Sequence, residues 1–339
     1  MENEFDIMRI KRGKGFSYVN NDGSSIKSKK IMDYINTMRI PPAYKDVRIS
    51  SDPQSKRYAM GIDEKGRKQY LYTKGHNEKA AHEKNLHLLQ FARVLPKIKK
   101  DIDYNLSKKI IDADSAYDKL ISTALKLVMD CNFRIGSDGG VDKYNSYGVS
   151  TLTKDHFNMA GGKYNIKFVG KKGVLNESVV KSIKLNNSLK EIINKNKNKE
   201  IFNYSGGGIK LKIGAADVND YLKKYGDIST KNFRTWMANI HFMDNFIKVL
   251  NTRAHDLDKI THRRKLIKKA VDSTAEKLHH TGSICKKSYI VNDLWDGFIN
   301  NPEDYKSIIM NYRDNGNFTP GENSFIYFMK NYSQNNNPI

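Results

Sequence analysis

The chain has 339 residues, with 59 Lys and Arg against 37 Asp and Glu, for a net charge of +22. That length accommodates two domains or one large one, and the positive balance points to a polyanionic partner, although a Lys- and Asn-rich composition supplies part of it. No apolar run approaches the roughly 18 residues that cross a bilayer, the amino terminus lacks a signal-peptide pattern, and two cysteines, Cys131 and Cys285, form neither a disulfide framework nor a zinc spacing.

Residues 1–77 are turn-rich, with short alternating segments, and read as a small β-rich domain. The run Ile40-Pro41-Pro42-Ala43-Tyr44 through Ile49 is incompatible with a helix interior, because prolines remove donors and restrict the preceding residue. Residues 58–72 read as a hairpin whose turn is supplied by Asp63 and Gly66. On its second strand Lys68, Tyr70 and Tyr72 share one face, with Arg67, Gln69 and Leu71 on the other. The two tyrosines suit either an exposed face or a strand core.

From about Glu78 the period becomes helical, and residues 78–339 read as a second, mainly α-helical domain. Ser115 is placed to cap a helix carrying Leu120, Ile121, Ala124, Leu125 and Val128, which ends shortly before Arg134. Residues 163–181 return to alternation, with a hairpin tip at Gly170-Lys171-Lys172-Gly173. Residues 194–200 form a polar loop, and Ser205-Gly206-Gly207-Gly208 is a further breaker. Ser229 or Thr230 caps a helix with apolar positions from Phe233 to Leu250. Another helix spans about 264–278, with Gly282 as its stop, and residues 333–337 read as a frayed tail.

Five groups in this order carry chemistry: Arg134, Lys171, Arg234, His280 and Tyr289, the imidazole nine residues before the phenol. Transesterification at a phosphodiester needs a nucleophile, cations on the nonbridging oxygens and a proton for the leaving oxygen. A phenol with a reference pKa near 10 needs nearby cations to attack at neutral pH. Two guanidiniums clamp a phosphate in bidentate fashion, the imidazole hydrogen-bonds a nonbridging oxygen, and a lysine at a hairpin tip serves as general acid. Each residue also has an ordinary reading: Tyr289 as one of 19 tyrosines, His280 as a solvated helix end, Lys171 as a solvated tip and the arginines as structural ion pairs. The chain has no GxxxxGK[ST] loop and no carboxylate cluster suited to magnesium, so neither metal nor cofactor is expected.

The set resembles the catalytic pentad of the type IB DNA topoisomerases in their small, poxvirus-like and bacterial form. The segments Ile40-Pro41-Pro42-Ala43-Tyr44-Lys45-Asp46-Val47, Asp63 to Tyr72 and Lys167-Phe168-Val169-Gly170-Lys171 are similar to motifs of that family, and the likeness covers nearly the whole chain. It implies an α+β chain in which a β-rich amino-terminal domain and a helical catalytic domain close as a monomeric clamp on duplex DNA. Tyr289 would form a 3′-phosphotyrosyl link, the free end would swivel, and the strand would be resealed without ATP or metal. Arg67, Lys68, Tyr70, Tyr72, Lys231 and Asn239 fall at positions expected to contact DNA or support its phosphate. Three departures stand out: Lys172 where an acid usually follows the catalytic lysine, Gly140 in place of a DNA-contacting tyrosine, and Cys285 in place of a serine.

The composition favours a large cytoplasmic DNA virus as the source, hence a virion or cytoplasmic factory; a bacterial source would imply the cytoplasm. A tyrosine site-specific recombinase shares the fold and the intermediate, but usually carries His-x-x-Arg where this chain has Lys231-Asn232-Phe233-Arg234. A non-catalytic basic DNA-packaging protein is the remaining alternative.

Overall fold

A computed structural model describes residues 4–251, 257–310 and 316–335. The chain divides into two compact units, Met1–Lys84 and Asn85–Ile339.

The first unit is built on a five-stranded antiparallel sheet. Its strands are β1 (Ile7–Arg12), β2 (Gly15–Asn20), β3 (Lys45–Ile49), β4 (Arg57–Ile62) and β5 (Lys68–Tyr72), in the order β2-β1-β3-β4-β5. Helix α1 (Lys29–Thr37), capped by Ser28, contributes Ile35 to a core with Ile7, Val47, Ile49 and Ala59. The diproline segment is irregular, as its composition dictates. Arg9 donates to the carbonyls of Pro41 (3.1 Å) and Tyr44 (2.7 Å), which supplies the pairing a strand would have given. In the β4–β5 turn the Asp63 carboxylate accepts from the backbone N–H groups of Lys65 and Arg67, and Gly66 takes φ +72°. Hydrogen bonds from Arg67 hold the Asp63 carboxyl down to about 2.

The second unit is mainly helical. Helix α2 (Lys74–Ser107) crosses the division between the units. It is followed by α3 (Ala113–Asp130) and α4 (Asp138–Tyr144), and then by the sheet β6 (Phe157–Ala160), β7 (Lys163–Val169) and β8 (Leu175–Val179). Next come α5 (Ile183–Lys195), the hairpin β9 (Asn203–Gly206) and β10 (Ile209–Lys212), and α6 (Ala215–Leu222). The carboxyl-terminal part carries α7 (Thr230–Asn251), α8 (Ile260–Lys277), α9 (Gly282–Ser288), α10 (Asp293–Asn300), α11 (Pro302–Met310) and α12 (Pro320–Asn335). The apolar stripe of α7 is buried as its period requires, with Phe233, Trp236, Ile240, Met243 and Phe246 inside. The α+β arrangement of a small sheet followed by a helical body is the expected fold.

Several local expectations are corrected. The cap of α3 is Asp112, whose carboxylate accepts from the Ser115 N–H at 2.8 Å; Ser115 answers from the third helical position in a capping box. Gly282 does not stop α8. It opens α9, capped by Thr281, while α8 ends at a left-handed His279 with φ 52°. Of the Ser205–Gly208 breaker, Ser205 and Gly206 pair within β9, and Gly207 and Gly208 make the turn of the β9–β10 hairpin. In the expected tail, Ser333 to Asn335 belong to α12, and Asn336 and Asn337 lie outside the described residues. Among the described residues no helix is long and apolar enough to cross a membrane.

Candidate active site

Arg234 is the buried centre of the site. It sits one turn into α7, between Phe233 and Trp236, and is only 5% exposed. A buried guanidinium needs compensation. Here Nη1 donates to the carbonyl of Asn132 and Nη2 to that of Leu278. Nη2 also lies 2.8 Å from His280 Nε2. Burial, reinforced by the Arg134 charge, brings Arg234 down to about 10, so it remains a cation at neutral pH.

Arg134 arrives at the same imidazole from another element. It lies four residues beyond α3, in a loop fixed by a close backbone crossing. Val149 N–H donates to the Arg134 carbonyl at 2.9 Å and Ser150 N–H to that of Ile135 at 2.8 Å. Gly136 takes φ +84°, and a Cβ on Gly148 would strike the Gly136 backbone, so the crossing requires two glycines. Arg134 Nη2 lies 3.0 Å from His280 Nε2 and 3.3 Å from Nδ1.

Both guanidiniums only donate, and Nε2 is the imidazole nitrogen that both reach. Burial first, then the charges of Arg234 and Arg134, push His280 down to about 3. The imidazole is therefore neutral in the free protein.

Tyr289 caps the end of α9, its ring centroid 4.9 Å from that of His280 and 5.7 Å from the Arg234 guanidinium carbon. Its backbone is clamped by Asn239, one of the residues expected to contact DNA or support its phosphate. Asn239 is 0% exposed: its Nδ2 donates to the Tyr289 carbonyl at 3.1 Å, and its Oδ1 accepts from Val291 N–H at 2.8 Å. The side chain is closed inside the protein and committed on both ends, so in the free protein it holds the backbone around Tyr289. The Cys285 thiol, fully buried behind the site, is raised to about 11 by that burial.

Lys171 and Lys172 stand on the β7–β8 tip, both exposed. Lys172 takes φ 66°, and Gly170 is needed because a Cβ there would strike the Asn176 amide. The two lysines line one cleft of about 500 Å³ with Arg134, His279, His280 and Tyr289. Lys167 points elsewhere and pairs with Glu177 at 3.3 Å. The tip is tied to the other groups by aromatic packing. Phe168, three residues before Lys171, stacks edge-on against Phe133 at 4.8 Å, and Phe133 lies 6.2 Å from His279. Phe133 and His279 are the chain neighbours of Arg134 and His280, and neither was singled out from the sequence, since an aromatic beside a charged residue carries no period of its own.

Of the remaining expected contacts, Lys231 is exposed at the start of α7, one turn before Arg234. Gly140 lies inside α4. In the first unit, Tyr70 is flanked by the Arg57 guanidinium at 4.7 Å and the Lys68 ammonium at 5.7 Å. Tyr72 is 37% exposed, and neither tyrosine joins the core that Leu71 packs against. Arg67 is held by Asp63 at 2.7 Å.

The chain matches two family models: the catalytic core of eukaryotic DNA topoisomerase I over residues 72–307, and the amino-terminal domain of bacterial DNA topoisomerase IB over residues 15–63. A DNA topoisomerase 1B of Acanthamoeba polyphaga mimivirus is 31% identical over 314 residues, 88% of either chain. The DNA topoisomerase 1B of vaccinia virus (strain Copenhagen) is 29% identical over 239 residues, 69% of this chain and 70% of that one. A DNA topoisomerase 1 of rabbit fibroma virus is 27% identical over 274 residues. With a catalytic-core match over most of its length and four cationic or imidazole groups gathered around one tyrosine, this chain belongs to the type IB DNA topoisomerases and is an enzyme of that class.

Proposed function

We propose that the protein relaxes supercoiled duplex DNA by transient transesterification at Tyr289. The observation that carries this reading is the convergence of Arg134 and the buried Arg234 on His280, which lines one cleft with Arg134, Tyr289 and Lys171. Tyr289 Oη attacks the scissile phosphorus, its proton passes to water in the cleft, and a 3′-phosphotyrosyl ester forms. The departing 5′ oxygen takes a proton from Lys171 Nζ. The free end swivels, and its hydroxyl reverses the reaction.

The guanidiniums that point at His280 in the free protein turn to the nonbridging oxygens when a phosphate enters. That anion offsets the two charges depressing His280, so the imidazole becomes easier to protonate and able to donate. One phosphodiester is exchanged for another of similar energy and torsional strain drives the rotation, so no ATP is consumed. Transition-state charge is met by the chain's own cations, which makes added metal unnecessary. The amino-terminal unit, 1–84, supplies a second DNA-contacting surface through Arg67, Lys68, Tyr70 and Tyr72, and the enzyme acts as a monomeric clamp on the duplex.

Relaxation of positively and negatively supercoiled plasmid in EDTA without ATP tests this reading. The native protein relaxes both, whereas Tyr289→Phe binds DNA but neither relaxes it nor forms a covalent adduct. Strict dependence on ATP or magnesium, or an adduct formed by the Phe variant, would overturn it.

A further inference from the structure

Two non-glycine residues with positive φ stand just before catalytic groups: Asn132, at 57°, two residues before Arg134, and His279, at 52°, one before His280. Each terminates a helix. Helix α3 is capped by Cys131 and turns at Asn132; α8 is capped by Leu278 and turns at His279. At the second end His279 N–H donates to the Glu276 carbonyl at 3.1 Å and His280 N–H to that of Ala275 at 2.9 Å. This paired pattern usually places glycine where His279 stands. The two turns share one consequence: the carbonyls of Asn132 and Leu278, each at a helix carboxyl end, accept from the same Arg234 guanidinium. Helix carboxyl ends carry partial negative charge, so Arg234 is a cation held between two of them.

We propose that Asn132 and His279 are positioning residues, whose left-handed backbone aims these carbonyls at Arg234 and delivers Arg134 and His280 to it. The proposal rests on Arg234 being a phosphate-binding arginine. Asn132 also has a side-chain contact, Nδ2 to His241 Nε2 at 3.2 Å, so backbone and side-chain roles must be separated. Glycine accepts positive φ without strain and alanine does not.

The test compares Asn132→Gly and Asn132→Ala in the full chain, reading single-turnover cleavage of a DNA substrate at saturating enzyme, DNA affinity and melting temperature. The Gly variant should cleave within about threefold of the native rate, and the Ala variant roughly tenfold or more slowly, both with native affinity. At His279 both variants lose the ring against Phe133, yet Gly should again be faster than Ala. If the Ala variants do not fold, the Asn132→Gly variant alone decides. A folded Gly variant slowed tenfold or more overturns the proposal and assigns Asn132 to its contact with His241; equal rates for Gly and Ala overturn it as well. Arg234→Ala with native cleavage would instead overturn the reading of the site beneath it.

Discussion

Two roles at the site can be separated residue by residue. If Lys171 is the general acid, Lys171→Ala slows cleavage by orders of magnitude on an ordinary 5′ oxygen but cleaves a 5′-thio substrate at close to the native rate, because a thiolate leaves without protonation. Lys167→Ala and Lys172→Ala should show no such rescue. Equal defects of Lys171→Ala on both substrates would place Lys171 in phosphate binding. His280 makes a prediction of a different kind. Its folded value lies far below the unfolded reference near 6.5, so between about 6.5 and 3 the unfolded chain binds a proton that the native protein refuses. Stability therefore falls as pH drops through that window, and His280→Asn should flatten the dependence. In the free protein the ring proton resonances of His280 should show no titration between pH 5 and 8, and an inflection near 6.5 would contradict the two-guanidinium cage. The order and motif contexts of Arg134, Lys171, Arg234, His280 and Tyr289 are legible in one dimension, and the structure brings both guanidiniums to His280 and places Lys171 and Tyr289 along the same cleft. For Asn239 the distance along the chain from Arg234 was visible, but its hydrogen bonds to the backbone of Tyr289 and Val291 were not, because they depend on packing between α7 and the segment after α9.

At the level of elements, the β4–β5 and β7–β8 hairpins and the long amphipathic helices were readable because turn chemistry and period are local, whereas the β1–β2 hairpin was not picked out. Helix ends were less so. Gly282 resembles a stop, yet a glycine after Thr281 opens a helix equally well once threonine caps it, and the true stop is a strained histidine that no propensity would select. The short helices α10 and α11 escaped notice, being too brief for a period to register. The role of Asn239 gives a test that belongs to α7 as a whole. Asn239→Ala removes buried hydrogen bonds worth about 1–3 kcal/mol in stability and releases the backbone of Tyr289. Cleavage at saturating DNA should fall by at least tenfold while affinity and salt dependence stay native. A lost affinity with an intact cleavage rate would place Asn239 at the DNA surface.

For the whole molecule the governing quantity is charge. A net +22 engaged with duplex phosphates should make log K fall by roughly 0.9 per neutralised phosphate for each decade of salt. Removing residues 1–76 deletes Arg67, Lys68, Tyr70 and Tyr72 and leaves the large core of the second unit and all five candidate groups of the site. The fragment should still form covalent adduct, but bind more weakly and with a shallower salt slope. An unchanged slope would remove the amino-terminal unit from the DNA-binding surface. The two-part organisation was legible from the change of period near residue 78, whereas the division at Lys84 and Asn85 falls inside α2, where no break in sequence marks it.

The aromatic contact of Phe133 with Phe168 and His279 bears on how the groups move. Arg134, Lys171 and His280 each hang from a neighbour in that contact, so their positional errors are shared. A displacement of the joint would therefore move Arg134, Lys171 and His280 together. Tyr289 is moored separately, through Asn239 and the buried Ile290 and Val291 that follow it. Asn239 lies on the helix that carries Arg234, so Tyr289 and Arg234 share one support while Arg134, Lys171 and His280 share the other, and a phosphate held by both sets would couple the two.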